Sequence, residues 1–237
     1  IKHFIVTYKN EDILLECIEK ISKAYLPKGI AYKLNIISNS TMTYSCKQRI
    51  SRTVKVLKND LRLDSSTGHL ARNWNQGLML GFENLESPKA DIVILSQGDC
   101  MLNEDFISKI VDTHKKYDFI QQGRGDEFHS YTAEHVKKAG IGDERFCGIG
   151  YQEIDYFYRS YILNKDNIYI NHEFNNEIQS NENLLDIVDT SYLTGYQRKD
   201  ESHFKSYDLV HDYCLNFILK KYGIKERLKA GCAVVSG

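Results

Sequence analysis

The sequence predicts an α/β fold in which a mostly parallel, Rossmann-like sheet carries helices on both faces. In the first half of the 237-residue chain, short apolar stretches of strand length alternate with amphipathic stretches of helical spacing. Such alternation is typical of parallel sheets, whose strands are joined by helices that pack on the two faces. With 15 glycines, only two prolines and 42% hydrophobic residues, the composition is that of an ordered globular protein able to bury a sizeable core.

The first half of the chain divides into short strands separated by helices. A helix is predicted where apolar residues recur every three or four positions, and a strand where a short run is rich in branched and aromatic residues. The predicted strands are His3–Thr7, Lys33–Ser38, Thr53–Leu57, Asp91–Leu95 and Asp118–Gln122. The predicted helices are Ile13–Lys23, Leu70–Phe82 and one that includes Phe106–Val111.

The second half of the chain has a different pattern. A glycine-rich loop, Gly140–Gly150, leads into a predicted helix from Tyr151 to about Leu163, and a short strand follows at Ile168–Ile170. A polar stretch separates this strand from a last amphipathic helix, which ends at Tyr222-Gly223 because glycine favours the end of a helix. We therefore expect a C-terminal helical extension beside the sheet.

Charge and cysteine spacing narrow the classes of function. The 31 Lys and Arg residues and 32 Asp and Glu residues leave a net charge of -1, so the chain lacks the overall basic field that nucleic acids and anionic membranes attract. No apolar run approaches the ~20 residues that span a bilayer. The six cysteines include no close pair, which favours reduced thiols. We expect a cytoplasmic protein that binds no nucleic acid, with any membrane association coming from a partner or from a segment outside this chain.

Polar side chains follow four predicted strands at the point where each strand ends. Thr7 and Tyr8 follow the first strand, and Asn39, Asp60 and Asp99 follow the next three. In an open parallel sheet these ends border the crevice in which ligands bind. The polar groups could hydrogen-bond a base and a ribose, and the Tyr8 ring could stack on the base. Asp99, with one further ligand, could hold Mn²⁺ or Mg²⁺ over a diphosphate, although an isolated acid after a strand is more often a turn residue or a helix cap.

Six motifs then occur in order along most of the chain. They are FIVTYKNEDILLECIEKI from Phe4, GHLARNWNQGL from Gly68, DIVILSQGD from Asp91, AGIGDERF from Ala139, YQEIDYFYR from Tyr151 and KKYG from Lys220. Each motif is weak alone, but the ordered set resembles nucleotide-sugar glycosyltransferases of the A-type fold, especially the large inverting family usually numbered two. The resemblance implies the same α/β fold and transfer of a sugar from a nucleotide-sugar donor.

The resemblance implies donor-binding roles for residues in the first half. Thr7 and Tyr8 fall where the family holds the nucleotide base, and Asn39 falls where the family contacts base or ribose. Arg72 and Asn75 match the polar helix face near the sugar-diphosphate.

The resemblance also implies a metal site. Gln97-Gly98-Asp99 matches the Asp-x-Asp element, whose last acid is the family's usual metal ligand. Here glutamine replaces the first acid; it keeps a hydrogen-bonding group for a ribose hydroxyl but adds no negative charge, so the degree of metal dependence stays open. His172 is the candidate second ligand, although a lone histidine is commonly structural or solvent-facing. Weaker candidates are His203 and His211.

The catalytic base is expected in the motif that begins at Tyr151. Sugar transfer needs a carboxylate that takes the proton of the acceptor hydroxyl as its oxygen attacks the anomeric carbon. Glu153 occupies the family's usual base position, and Asp155 is the competing candidate on a different helix face. Two acids in the first turn would also favour the N-terminus of a helix without any catalytic role.

The loop before this motif is expected to contact the sugars. The resemblance implies that Asp143 and Glu144 position sugar hydroxyls. Tyr151, at the start of the next motif, is a candidate contact for the acceptor. The alternative for Asp143, Glu144 and Arg145 is a solvated run of charges.

These observations favour an inverting hexosyltransferase-like enzyme that uses a nucleoside-diphosphate sugar, with UDP as the expected nucleotide, and a carbohydrate or other hydroxyl acceptor. One base suffices for inversion, whereas a double-displacement retaining route also needs a nucleophile. Residues 1–122 are expected to form the nucleotide-sugar-binding half, and residues 123–237 the acceptor-binding and catalytic half of the same domain. The alternatives are a non-catalytic nucleotide- or glycan-binding module and a sugar nucleotidyltransferase; the latter would want a glycine-rich basic loop after the first strand, which TYKNEDILL does not provide.

Overall fold

The computed structural model describes residues 1–59, 70–123, 125–146, 151–171, 184–185, 188–189 and 212–223. The strands in these residues are β1 (Lys2–Thr7), β2 (Lys33–Ser38), β3 (Lys55–Lys58), β4 (Val93–Gln97), β5 (Cys100–Met101), β6 (Phe119–Gln122), β7 (Phe128–Tyr131), β8 (Ile168–Ile170) and β9 (Val188–Asp189). The helices are α1 (Glu11–Ser22), α2 (Tyr44–Arg49), α3 (Leu70–Phe82), α4 (Phe106–Thr113), α5 (Ala133–Ala139), α6 (Gln152–Asn164) and α7 (212–221).

Seven strands form one mixed sheet in the order β3-β2-β1-β4-β7-β6-β8. All neighbouring pairs are parallel except the two that include β7, which runs antiparallel to both β4 and β6. The predicted α/β fold with a mostly parallel sheet is therefore confirmed. The carboxyl ends of the six parallel strands and the amino end of β7 meet along one side of the sheet, which we call the carboxyl edge.

Helices cover both faces of this sheet, as the alternation of buried side chains requires. Phe4 and Leu95 point into a core shared with α3, α5 and α6. Ile5 and Ile94, which follow or precede them in the same strands, point into a second core shared with α1 and α4. The strands of the seven-stranded sheet thus contribute to two cores, one on each face.

Helix α3 lies unusually close to the sheet. Gly77 and Gly81 are four residues apart and face β4 together. A Cβ atom at Gly77 would lie 2.5 Å from Leu95 Cδ2, and one at Gly81 would overlap the side chain of Val93. This close packing fixes the position of the first half of α3, which carries residues of the candidate site.

The predicted elements are found with small shifts, and several short ones were not predicted. The fourth strand is Val93–Gln97 rather than Asp91–Leu95, so it extends to two residues before Asp99. Helices α2 and α5 are only 6 and 7 residues long and largely polar, so they show no amphipathic pattern from which they could be predicted. Strand β7 (Phe128–Tyr131) also escaped prediction, although it separates β4 from β6 in the sheet. Among the described helices, none combines the length and apolar character needed to cross a bilayer.

Candidate active site

The carboxyl edge is held together by backbone hydrogen bonds that continue past the strands. The amide of Gly98 donates to the carbonyl of Val6 (2.9 Å), and the amide of Asn39 donates to the carbonyl of Thr7 (2.9 Å). A Cβ atom at Gly98 would lie 2.9 Å from Thr7 Oγ1. Glycine therefore precedes Asp99 because the end of β1 leaves no room for a side chain.

A cleft of ≈ 640 Å³ opens beyond the ends of β1 and β2, at the start of α1. Two buried amide atoms near these strand ends, Asn39 Oδ1 and Asn10 Nδ2, accept and donate no hydrogen bond within the described residues. Tyr8 is half-buried here, with the Lys9 ammonium 5.0 Å from its ring centre. Unmet buried acceptors and donors are costly, so this region suits a polar ligand. The cleft is lined by Lys9, Asn10, Glu11, Asp12, Ile13, Ser40 and Thr41.

Asp99 is almost fully enclosed, with 2% of its surface exposed. Burial, and then the negative charge of Asp99, raise the pKa of the Cys17 thiol on α1 to about 12. The Cys17 thiol also donates to the carbonyl of Cys100, the next residue after Asp99. The candidate metal ligand is thus a carboxylate at the carboxyl edge, on the side of β4 that faces α1.

Asp126, which the sequence motifs do not single out, is the centre of a polar cluster on the other side of β4. It lies in the turn between β6 and β7 and is 6% exposed. Its carboxylate accepts hydrogen bonds from Trp74 Nε1 (3.1 Å), Gln97 Nε2 (2.5 Å) and Gln152 Nε2 (3.1 Å). Asp126 therefore connects α3, the end of β4 and the start of α6. The amide that we expected to face a ribose, that of Gln97, points at this carboxylate.

Glu153 lies beside Asp126 at the start of α6. As a residue it is half-buried, but its Oε2 atom is enclosed and has no hydrogen-bond partner within the described residues. Burial, and then the negative charge of Asp126, raise the pKa of Glu153 to about 8. The residue that introduces this helix, Tyr151, has a φ of 62°, a left-handed conformation that is uncommon for a residue with a side chain. A strained entry and a carboxyl group with raised proton affinity are features that cluster at functional sites.

Asp155, the competing candidate for the base, is fully buried in ion pairs. Arg159 Nη2 lies 2.9 Å from Oδ2, Lys221 Nζ lies 2.5 Å from Oδ1, and the Tyr222 hydroxyl donates to Oδ1 (2.8 Å). Lys221 and Tyr222 come from the end of α7 and the turn after it, so Asp155 fastens this C-terminal segment to α6.

We expect Asp155→Asn to destabilise the protein by about 2–3 kcal/mol, less than for a fully enclosed pair because both cations are partly exposed. In a chain of this length that corresponds to a fall in Tm of about 5–10 °C. Thermal unfolding by circular dichroism measures the effect. The matched control is Asp112→Asn: Asp112, at the end of α4, forms an exposed pair with Lys115 just beyond the helix, and loss of this pair is expected to leave the Tm unchanged. Equal Tm values for both variants would show that Asp155 does not brace α7.

The loop before α6 is fastened to α3. Asn75 accepts a hydrogen bond from the Gly142 amide (2.7 Å) and donates to the Gly142 carbonyl (2.9 Å) and to Glu144 Oε1 (3.0 Å). Arg72 Nε lies 3.1 Å from Glu144 Oε2. Arg72, Asn75 and Glu144 are thus brought together, and the buried amide of Asn75 is used to hold the loop.

Asp143 lies on the opposite side of this loop, toward α7. It pairs with Arg145 (2.7 Å) and with Lys221 (2.9 Å), and the Arg145 guanidinium holds the pKa of Asp143 well below its usual range. Lys221 therefore bridges Asp143 and Asp155.

The remaining candidates lie outside the described residues: Asp60, His172, His203 and His211. Within the part of the chain that the structure describes, no group of three or more His, Cys, Asp or Glu side chains could hold a metal ion by itself. Asp99 is the only proposed metal ligand whose position can be given.

Comparison with known proteins gives similarity of structure alone. No protein-family model matches the sequence, and no curated protein matches it. Among solved structures, residues 1–349 of TarS from S. aureus, in complex with UDP, align over 70% of this chain and 56% of that chain, with 12% identity and a TM-score of 0.47. A second structure of S. aureus TarS aligns over 70% and 34%, with 14% identity and a TM-score of 0.48.

A third match is the mannosyltransferase PcManGT from Pyrobaculum calidifontis, in complex with GDP-Man and Mn2+, which aligns over 60% of this chain and 47% of that chain, with 12% identity and a TM-score of 0.42. This chain thus spans between about a third and a little over half of the matched structures. TarS and the mannosyltransferase are both glycosyltransferases, the class that the sequence motifs resemble. At these identities and TM-scores the matches do not assign a role to any residue of this chain, so its chemistry has to be inferred from its own residues.

Proposed function

We propose that the protein transfers a sugar from a nucleoside-diphosphate sugar, with UDP as the expected nucleotide, to a hydroxyl group of a carbohydrate acceptor, with inversion at the anomeric carbon. The observation that carries the proposal is the position and state of Glu153. Its carboxyl group has an enclosed oxygen without a hydrogen-bond partner in the described residues, and its pKa is raised to about 8. The preceding residue, Gln152, is linked through Asp126 to Gln97, the last residue of the strand before Asp99.

Glu153 has the properties that a general base for this reaction requires. An acceptor hydroxyl is a weak acid, and a base takes its proton more effectively when the pKa of the base is raised toward the working pH. Glu153 would receive the proton at its carboxylate as the acceptor oxygen attacks the anomeric carbon from the face opposite the diphosphate. A single base then gives inversion.

Asp155 is a poorer base because its carboxylate oxygens are already bound. Arg159, Lys221 and Tyr222 occupy both of them, and the side chain has no exposed surface. Proton transfer to Asp155 would break two ion pairs that join α6 to α7. We therefore assign the base to Glu153 and a bracing role to Asp155.

The proposed site of the donor nucleotide is the carboxyl edge at the ends of β1 and β2. The ≈ 640 Å³ cleft beside Tyr8 is large enough for a nucleoside. Asn39 Oδ1 and Asn10 Nδ2 supply a hydrogen-bond acceptor and donor for the polar edge of a base, and the Tyr8 ring offers a surface on which the base can stack. Residues 1–122 would thus hold the donor, and residues 123–237 would supply the base and the acceptor contacts.

Asp99 fits a divalent cation, because a buried carboxylate at the sheet edge is the oxygen ligand that Mg²⁺ and Mn²⁺ prefer. Asp99, with His172 as the proposed second protein ligand, would hold the cation together with the donor phosphates. When bound, the cation supplies Lewis-acid stabilisation of charge on the leaving phosphate. Gln97 adds no charge to this site, since its amide donates to Asp126.

The proposal is tested by a screen of nucleotide sugars for thermal stabilisation in the presence of Mn²⁺. A ligand at a hundredfold excess over its dissociation constant adds about 2.7 kcal/mol of stability, or about 5–10 °C in Tm for a chain of this size. We expect UDP-sugars to stabilise the protein and the stabilising sugar to be released from its nucleotide when acceptors are added. Stabilisation without turnover would favour the binding-module alternative, and no stabilisation by any nucleotide sugar would contradict the proposal.

A further inference from the structure

We propose that Asp126 is a positioning residue that sets the protonation of Glu153, an inference that rests on the proposed role of Glu153 as the base. Asp126 lies outside every motif that the sequence shares with glycosyltransferases. It nevertheless joins three structural elements at the carboxyl edge. Glu153 Oε1 lies 3.9 Å from where a Cβ atom on Gly125, the residue before Asp126, would be, and the charge of Asp126 acts on Glu153.

The hydrogen bonds of Asp126 keep it negatively charged without a cation. Its three side-chain partners are the indole of Trp74 and the amides of Gln97 and Gln152, all neutral groups that donate. Burial raises the pKa of Asp126 above its ordinary value, and these three hydrogen bonds reduce the rise because they stabilise the ionised form. The result is a buried carboxylate whose charge is not neutralised by a paired cation among these partners.

Glu153 has fewer hydrogen-bond partners, namely the backbone amides of Tyr151 and of Glu153 itself. Its enclosed Oε2 accepts no hydrogen bond within the described residues. Two carboxylates in one desolvated site titrate as a pair and do not both ionise near neutral pH. The single proton of the pair therefore resides on Glu153, while Asp126 keeps the charge that its three donors stabilise.

The groups that face this pair come from α3, β4, β7 and α6. Trp74, Gln97 and Gln152 contact Asp126 directly. A cavity of ≈ 20 Å³ next to Glu153 is also bordered by His129, Tyr131 and Tyr156, and no lysine or arginine lines it within the described residues. Arg124, two positions before Asp126, lies outside the described residues.

The glutamine at position 97 follows from the same arrangement. An acid there would place a second carboxylate against Asp126 and remove the donor that stabilises it. The Asp-x-Asp element has a negative charge at the position of Gln97. In this protein the negative charge lies on Asp126, which accepts a hydrogen bond from the Gln97 amide. Asp126 in turn holds α6 in place through its hydrogen bond with Gln152. Its negative charge keeps Glu153 protonated up to about pH 8.

The single tryptophan of the chain is a direct reporter of this cluster. Because the Trp74 indole donates to Asp126, its ¹⁵N–¹H resonance should follow the ionisation of the pair in the ligand-free protein. We expect this resonance to shift in a step with a midpoint near pH 8 in the wild type and in the control Asp118→Asn, which removes a carboxylate at the opposite edge of the sheet. The step should disappear in Glu153→Gln and in Asp126→Asn. A step near pH 8 that survives in Glu153→Gln belongs to another group and would overturn the inference.

A second measurement separates charge setting from a purely structural role. In protein labelled with ¹³C at glutamate carboxyl groups, the resonance absent from Glu153→Gln identifies Glu153. We expect its pKa to move in Asp126→Asn from about 8 toward the ordinary value of 4.5, without reaching it because burial remains. An unchanged pKa would overturn the inference.

Neither measurement uses a substrate, so the inference can hold even if no sugar transfer is found. If Asp126→Asn does not fold, Glu153→Gln provides the test. The interaction between the two carboxyl groups affects both pKa values equally, so Glu153→Gln must lower the pKa of Asp126. The Trp74 resonance reports that pKa. An Asp126 titration that is the same with and without the Glu153 carboxyl group would refute the coupling.

Discussion

Glu153→Gln is expected to lower kcat for sugar transfer about 10²–10⁴-fold, the usual contribution of a general base, and to leave donor affinity unchanged. Glutamine keeps the size and polarity of the side chain, so α6 and the cluster around Asp126 stay in place. It cannot accept a proton, so the acceptor oxygen must attack as a neutral hydroxyl. Release of the nucleoside diphosphate measures kcat, and titration calorimetry measures donor binding.

The matched control is Glu134→Gln on α5, whose carboxylate pairs with Lys137 on the surface and is expected to affect neither quantity. Turnover in Glu153→Gln within about threefold of the wild type would assign the base to another residue. Loss of donor affinity with preserved turnover would place Glu153 in the donor site instead.

The same assignment fixes the pH dependence of the reaction. Glu153 acts as a base only when ionised, and its pKa is raised to about 8 in the free protein. The acid limb of kcat/KM should therefore rise about tenfold per pH unit below that value and level off above it, since kcat/KM reports groups of the free enzyme.

The second large effect expected is loss of stability in mild acid. His3, His114 and His135 are buried as neutral rings, and burial lowers their pKa values from 6.5 to about 3, 4 and 3. Their folded-state hydrogen bonds are made with neutral partners: His3 with Tyr32 and Ser96, His114 with Ser130, and His135 with Ser160. Below pH 6.5 these histidines are protonated in the unfolded chain but stay neutral in the folded protein. The unfolded state is therefore favoured increasingly as the pH falls, and the stability present above pH 6.5 is lost toward pH 4.

Each such histidine contributes about 1.4 kcal/mol per pH unit between its two pKa values. Three histidines together lower the free energy of unfolding by about 4 kcal/mol for each pH unit of acidification. Glu153 offsets about a third of this loss, because its raised pKa makes the folded protein bind one proton more than the unfolded chain between pH 4.5 and about 8. We expect the free energy of unfolding in urea to fall by about 3 kcal/mol per pH unit between about pH 6 and pH 4.5. His114→Asn should reduce this slope by about 1.4 kcal/mol per unit, and an unchanged slope, or stability that rises in acid, would show that these rings are not held neutral.

The fold was predictable because its main strands and helices are long and regularly patterned. Leu70, Trp74 and Leu78 mark α3, and runs such as KLNIIS mark the buried parallel strands. Elements whose formation depends on their neighbours were not predictable. Strand β7 is FHSY, in which His129 and Ser130 are buried only because other residues hydrogen-bond them.

The candidate site was predictable only in part, and for the same reason. The residues that follow strands could be listed, because parallel strands bring their ends together. The choice between Glu153 and Asp155 could not be made, since it depends on Lys221 and Tyr222, more than 60 residues away in sequence. Asp126 directly follows a glycine shortly after a strand ends, as Asp99 does; this shared context was the one signal that could have identified it.

Asp99 lies on the side of β4 that faces α1, and Glu153 lies on the other side. The proposed reaction requires the carboxyl edge between them to form one cleft when the donor is bound, and Mn²⁺ bound with UDP can test this directly. Mn²⁺ is paramagnetic and broadens the resonances of nearby nuclei, so a cation held by Asp99 should broaden the Trp74 indole resonance beside Asp126 and Glu153. We expect broadening with Mn²⁺ and UDP, none with Mg²⁺ and UDP, and none when Asp99→Asn replaces the wild type. A sharp Trp74 resonance at a concentration of Mn²⁺ and UDP that stabilises the wild-type protein would show that the cation lies away from Glu153, and would contradict the account.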